Sequence, residues 1–258
     1  WIRFEIGILR LEAGGFAGIL VLVWINGLMA VMRYRAGAVV HRLSPTGVLT
    51  ASAVLAGVGL FGLGNASSGP AVFASATVFA LGVCYFWPTL LGVASERVPK
   101  SGALGMGLMG TVWMATVGLI AAPQMGRIAD EFAHERIPAQ EVTLLFERTA
   151  MVLGNNDDPD AMAAVAAATG VLQSFVITGQ LPSPGTANAL RSVIASDADA
   201  DLIGQAQAIL GPADNYGGRV SFLYMVPLCG ILFLIFGALD LKDRKAGGYR
   251  VESLEGAA

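Results

Sequence analysis

Charged residues are scarce in this chain. They make up 14% of its 258 residues, whereas apolar residues make up 55%. An ordinary soluble domain carries about 25% charged residues. The composition therefore excludes a typical water-soluble globular protein and predicts an all-α integral membrane protein.

Histidine and cysteine are equally rare. The two histidines, His41 and His134, fall on opposite sides of the predicted membrane, and the two cysteines, Cys84 and Cys229, lie inside apolar runs. An intramembrane hydrolase needs a nucleophile with a nearby base, and a metal enzyme needs clustered histidines and carboxylates. We therefore predict that the protein is not an enzyme, with no catalytic residue, metal ion or cofactor, and we expect no nucleic-acid partner.

The sequence contains long uncharged runs. A hydrocarbon core of about 30 Å needs about 20 apolar residues in a helix. Five such runs are present, at 14–32, 45–63, 71–94, 104–125 and 220–239. Residues 1–12 mix charged and apolar side chains, so we expect them to be the end of a truncated helix, and they do not resemble a signal peptide.

The charges between these runs predict an orientation, because Lys and Arg near helix ends stay on the cytoplasmic side. Basic residues follow the first and third runs and fill the end of the chain, whereas 64–70 is uncharged and 131–218 is acidic. We expect a multi-pass protein of the cytoplasmic (inner) membrane. The predicted parts are a transmembrane bundle (1–130), an external or periplasmic helical insertion (131–218), a last transmembrane helix (219–241) and a cytoplasmic tail (242–258).

The insertion carries its own helix signals. Helices are predicted at 139–153, from Pro159 with Asp158 as N-cap, at 186–195 and at 198–210, with Gly211 ending the last. The run 161–179 is uncharged and long enough to cross a membrane, but a crossing there would place the basic tail outside. We therefore predict that 161–179 lies outside the membrane.

In the third run, the segment from Tyr85 to Thr89 combines aromatic residues, hydroxyl groups and a proline. Pro88 removes a backbone hydrogen bond and can bend the helix, while Tyr85 and Thr89 are four residues apart and share a face. Trp87 offers a ring on which a solute can stack. These residues are equally compatible with a solute site and with helix packing.

Two other runs add candidates for solute binding. The first run contains Trp24 and Asn26, and the fourth contains Trp113. A buried amide such as Asn26 needs a partner on another helix or on a solute, and the helix partner is favoured.

The loop after the first run carries a family resemblance. Its sequence from Arg35 to Pro45 resembles the cytoplasmic loop signature of major facilitator transporters, Gly-x-x-x-Asp-Arg-x-Gly-Arg-Arg. Gly37 and Arg42 match this signature, whereas His41 replaces the acidic residue and the Gly-Arg-Arg end is missing. In the family this loop helps to control the swing between inward-open and outward-open states, a role that the resemblance implies for Gly37, His41 and Arg42.

Other segments agree with that resemblance. Residues 85–105 look like the tenth helix and following loop of bacterial members, including sugar porters, and Pro123 to Asp130 looks like the outer end of the eleventh helix. The resemblance covers 1–130 and 219–250, and the insertion has no counterpart.

The resemblance implies half of a major facilitator helical bundle, with five full transmembrane helices and a partial one. It also implies a secondary active transporter that moves a small solute, of sugar or related type, by alternating access. Its partners would be the missing N-terminal six-helix half, the lipid bilayer and a coupling ion, either a proton or sodium. The solute site would lie near the midplane between the halves.

A second function remains open from the residues alone. It is a nontransporting membrane scaffold or receptor whose external insertion binds a partner. This alternative predicts that Tyr85, Thr89 and Asn26 are fully packed and that there is no central cavity.

Overall fold

A computed structural model describes residues 16–34, 44–196 and 198–251, and the regular structure within these ranges is helical, without a strand. The α-helices are α1 (Phe16–Tyr34), α2 (Pro45–Asn65), α3 (Gly69–Val83), α4 (Phe86–Arg97), α5 (Gly102–Thr116), α6 (Ala122–His134), α7 (Ala139–Leu153), α8 (Pro159–Thr178), α9 (Gly185–Ala195) and α10 (Ala200–Lys245). A π-helical turn, Val117–Ala121, joins α5 to α6.

Five helical segments are long and apolar enough to cross a membrane: Pro45–Asn65, Gly69–Arg97, Pro99–His134, Pro159–Thr178 and Ala200–Lys245. The described apolar part of α1 is slightly shorter. The predicted all-α fold is confirmed for the described residues, and these helices indicate a multi-pass membrane protein. That the bundle is half of a major facilitator remains a prediction.

The chain divides into two compact units, one comprising 1–123 and 222–258 and the other 124–221. Within the first unit, α2 and α3 pack closely through glycines. A methyl group added at Gly59 would lie 2.5 Å from the backbone N and Cα of Phe79, and one added at Gly82 would collide with the backbone of Ala56. Small residues thus allow the two helix backbones to approach, as is usual for membrane helices.

The third predicted run is not one continuous helix. A turn at Cys84 and Tyr85 separates α3 from α4. Pro88 lies four residues after Cys84, and a proline ring clashes with the carbonyl of the residue four positions earlier. The helix is therefore interrupted one turn before Pro88, as expected from a proline that removes a backbone hydrogen bond.

The second unit has a core of its own. Buried side chains from α7, α8, α9 and the first part of α10 meet there, among them Phe146, Ala164, Leu190 and Leu202. The predicted helix 139–153 is present with those bounds. The carboxylate of Asp158 accepts a hydrogen bond from the Ala161 amide at 3.1 Å, so α8 begins with the predicted cap.

The last helix differs from the prediction, because α10 continues through Gly211 and Pro212. Buried side chains on both sides of this pair, including Ala206, Leu210 and Ala213, belong to the same core. Their burial offsets the helix-breaking cost of the glycine and proline. The predicted end at Gly211 is therefore wrong.

Candidate functional site

The six solute-site candidates do not form a single site. In α1, the Trp24 indole donates a hydrogen bond to the Thr77 hydroxyl at 2.9 Å and packs edge-on against Phe73. The Asn26 amide donates to the Leu22 carbonyl of its own helix at 2.8 Å and is exposed. Trp24 thus joins α1 to α3, and the Asn26 side chain is bonded within α1.

Tyr85 and Thr89 are both buried inside the helical bundle. The Tyr85 hydroxyl donates to the Met32 carbonyl at 3.0 Å, so it links the turn between α3 and α4 to α1. Cys84 and Val48 complete this small packed cluster. The Tyr85 hydroxyl therefore makes a hydrogen bond to another helix.

Trp87 and Trp113 are brought together. Their ring centres lie 5.2 Å apart with the planes tilted by 39°, within the usual range for interacting aromatic rings. They line a groove of about 360 Å³ between α4 and α5. Its other side chains are mainly aliphatic and include Leu90, Leu108, Met109 and Val112.

Polar groups are nearly missing from this groove. Thr116 is the one hydroxyl-bearing lining residue among those described, and its hydroxyl donates to the Val112 carbonyl at 2.8 Å. No described residue of α5 is buried, so the groove opens on an uncovered helix face. The groove thus offers aromatic and aliphatic surface and no charge.

The predicted switch-loop residues Gly37, His41 and Arg42 lie outside the described residues. The described chain resumes at Ser44, which caps α2: its hydroxyl accepts a hydrogen bond from the Gly47 amide at 3.1 Å. The same hydroxyl donates to Asp240 Oδ1 at 2.8 Å. The residue that follows the loop is thus tied to the end of α10.

Asp240 and Asp243 are the centre of a polar cluster at the ends of α2, α4 and α10. The Thr46 hydroxyl is 2.9 Å from Asp243 Oδ2 and 3.3 Å from Asp240 Oδ1. Arg97, the last residue of α4, makes an ion pair with Asp243. Arg244 Nε lies 2.8 Å from Asp240 Oδ2. Each carboxylate thus has both a cation and a hydroxyl partner.

Tyr249 extends this cluster beyond the end of α10. Its hydroxyl donates to Glu96 Oε2 at 2.7 Å, and the Arg97 guanidinium lies over its ring, 5.0 Å from the centre. Burial and the hydrogen bond to the Glu96 carboxylate raise the pKa of Tyr249 to about 12. At neutral pH the phenol is therefore protonated and acts as a donor.

Sequence reasoning missed this cluster, because residues in contact within it, such as Thr46 and Asp243, are as many as 197 residues apart. One signal was available. Asp240 and Asp243 are three residues apart at the end of an apolar run, so they share a helix face and need cationic partners at that depth.

No group of three His, Cys, Asp or Glu side chains positioned to hold a metal ion is present in 16–34, 44–196 and 198–251. Comparisons with protein-family models, with curated proteins and with solved structures gave no match.

Proposed function

We propose that the protein is a secondary active transporter, and that this chain supplies half of its helical bundle. The observation that carries the proposal is the helix interruption at Cys84 and Tyr85, next to the Trp87–Trp113 groove. Solute sites in transporters of this kind commonly form at bent or interrupted membrane helices near the midplane. Here the interruption lies just before Pro88, and Trp87 lies between that proline and the interruption.

The uncovered face of α5 supports a bundle that needs a second half. None of its described residues is buried, although the helical segment containing it is long and apolar enough to cross a membrane. A second six-helix bundle on this face would close the groove into a cavity between the halves. The solute would then be enclosed by Trp87 and Trp113 on one side and by the other bundle on the opposite side.

The polar cluster supports movement of this half as a unit. It joins the ends of three helices through Asp240, Asp243, Thr46 and Arg97. Alternating access by rocking needs each bundle to keep its internal packing while it moves against the other. In this proposal the cluster lies on the cytoplasmic side and the second unit on the external side.

Uptake by the full-length gene product in proteoliposomes tests the proposal. Sugars and other small metabolites are screened with and without a proton or sodium gradient. We expect gradient-dependent uptake of at least one solute. The Trp87→Ala and Trp113→Ala variants should reduce it about ten-fold or more, since loss of one stacking contact costs about 1–3 kcal/mol.

Tyr85→Phe and Thr89→Ala separate the roles of the two regions. Because Tyr85 binds the Met32 carbonyl and Thr89 is buried, these changes should lower the stability of the bundle more than the apparent affinity for the solute. The absence of uptake of every tested solute, with protein that is folded and correctly oriented, would contradict transport.

The second unit favours one alternative function, a scaffold or receptor. It has its own core and also exposes large apolar side chains, among them Leu144, Met151, Val176 and Ile177. A protein that binds a partner through this unit would keep that binding when Trp87 and Trp113 are replaced and would show no uptake.

A further inference from the structure

The chemistry of the Trp87–Trp113 groove restricts what it can bind. Among the described lining residues there is no acid, base or amide, and the hydroxyl of Thr116 already donates to the Val112 carbonyl. A charged group placed there would lose its hydration, and a cation–π contact with the indoles, about 2 kcal/mol for a cation and absent for an anion, would not offset that loss. The part of the solute that enters the groove must therefore be uncharged.

The same argument distinguishes two kinds of ring. A sugar ring carries hydroxyl groups around its edge, and each hydroxyl that is buried without a hydrogen bond costs about 1–3 kcal/mol. In the groove these hydroxyls would meet Leu90, Leu108, Met109 and Val112. An aromatic ring has an apolar edge and meets no such cost.

The two indoles favour the aromatic ring directly. Their centres are 5.2 Å apart and their planes are tilted by 39°, so they pack against each other and line the groove as one aromatic surface. A third ring can pack against this pair by its face or its edge, the arrangements that aromatic rings prefer. A groove of about 360 Å³ also lies within the size range of pockets for small organic ligands.

From these observations we infer that the groove recognises a solute through an uncharged aromatic ring, and that sugars are not its ligands. The inference rests on the proposed transport function and makes its substrate class more specific. Any charged or hydroxyl-rich part of the solute would be bound by the second half of the transporter.

Binding by the purified full-length protein tests this inference independently of transport. Equilibrium dialysis with radiolabelled indole measures the uncharged aromatic probe, and D-glucose and indole-3-acetate serve as the sugar and the charged counterpart. We expect saturable binding of indole only. Trp113→Ala should weaken it about ten-fold or more, since stacking on one aromatic side chain contributes about 1–3 kcal/mol.

The matched control is Met114→Ala. Met114 is the next residue of α5, is 70% exposed and does not line the groove. Indole binding should be unchanged in this variant. Equal weakening by both changes would mean that indole contacts the exposed surface of α5 in general, and binding that neither change alters would mean that it only partitions into the lipid or detergent. Either result would overturn the inference.

The remaining outcomes separate the inference from the proposed function. Saturable, Trp113-dependent binding of glucose or indole-3-acetate would overturn the aromatic class and leave transport standing. Uptake of some solute that is insensitive to Trp113→Ala would do the same. Absence of saturable indole binding together with absence of any uptake would contradict both.

Discussion

The two units of this protein are stabilised by different kinds of buried contact. The second unit buries large apolar side chains, including Phe146, Leu190 and Leu202, in a core of its own. The first unit has mostly small or polar groups where its helices meet: glycines between α2 and α3, and Thr46 with two aspartates at the helix ends. In water, burial of apolar side chains is the main interaction that stabilises a fold. In lipid, helices are held together mainly by close backbone packing and by hydrogen bonds between polar groups.

The largest effect is expected in the core of the second unit. Phe146 is fully buried in α7, so Phe146→Ala should remove about 3–5 kcal/mol from the free energy of unfolding of that unit. Limited proteolysis of the full chain in nanodiscs, as a function of urea, measures this loss. Met151→Ala on the same helix changes an exposed side chain and should have little effect. Similar sensitivity of both variants would mean that the unit lacks this core.

Close packing in the first unit is tested by Gly59→Ala. The added methyl would lie 2.5 Å from Phe79 backbone atoms, and overpacking of this kind costs up to about 3 kcal/mol. Unfolding in mixed micelles during detergent titration measures the change. Gly118→Ala is the control, because nothing lies within 4 Å of its new methyl group. A neutral Gly59→Ala would show that α2 and α3 are farther apart than described.

The polar cluster is tested by Asp243→Asn. This change removes the partner of Arg97 and weakens the acceptor for Thr46. We expect a loss of about 2 kcal/mol in the free energy of unfolding, less than for a fully buried pair because Arg97 is partly exposed. Lys245→Gln, at an exposed position of the same helix end, should be nearly neutral. A double-mutant cycle with Arg97→Gln should give a coupling free energy clearly different from zero.

The smallest effect concerns Tyr249 and appears only at high pH. Its pKa is raised to about 12 from an ordinary value of 10.0, chiefly by burial and then by the Glu96 hydrogen bond. The neutral phenol is the form that the fold favours, so its contribution to stability is present below pH 10 and is lost as the pH rises through 12. Absorbance at the tyrosinate band should show a late titration that Tyr249→Phe removes. An ordinary titration would exclude the contact with Glu96.

Much of the fold could be predicted because the responsible interactions are local. The N-cap Asp158, the bounds of α7 and the helix interruption near Pro88 each depend on residues within a few positions of one another. The continuity of α10 through Gly211 and Pro212 could not be predicted in this way. It depends on the burial of Leu210 and Ala213 against helices distant in sequence.

In the candidate site too, some features follow from the local sequence and others only from the packing of helices. The sequence shows Trp87 and Trp113 as aromatic residues inside apolar runs, but only their distance in space shows that they meet. The sequence places Tyr85 and Thr89 on one helix face, whereas the structure shows that the Tyr85 hydroxyl is bonded to the Met32 carbonyl. A residue type indicates what a side chain can do, whereas its partner is set by the packing of helices.

The side of the membrane on which α8 lies tests the comparison most directly, since this helix is apolar enough to cross and yet belongs to the core of the second unit. Met162, near the start of α8, and Ile177, near its end, are 52% and 83% exposed. In a background with Cys84 and Cys229 replaced, Met162→Cys and Ile177→Cys are each treated with a membrane-impermeant maleimide in intact cells. Labelling of both cysteines from outside is the predicted result. Labelling of only one of them would mean that α8 crosses the membrane, which would contradict an external second unit.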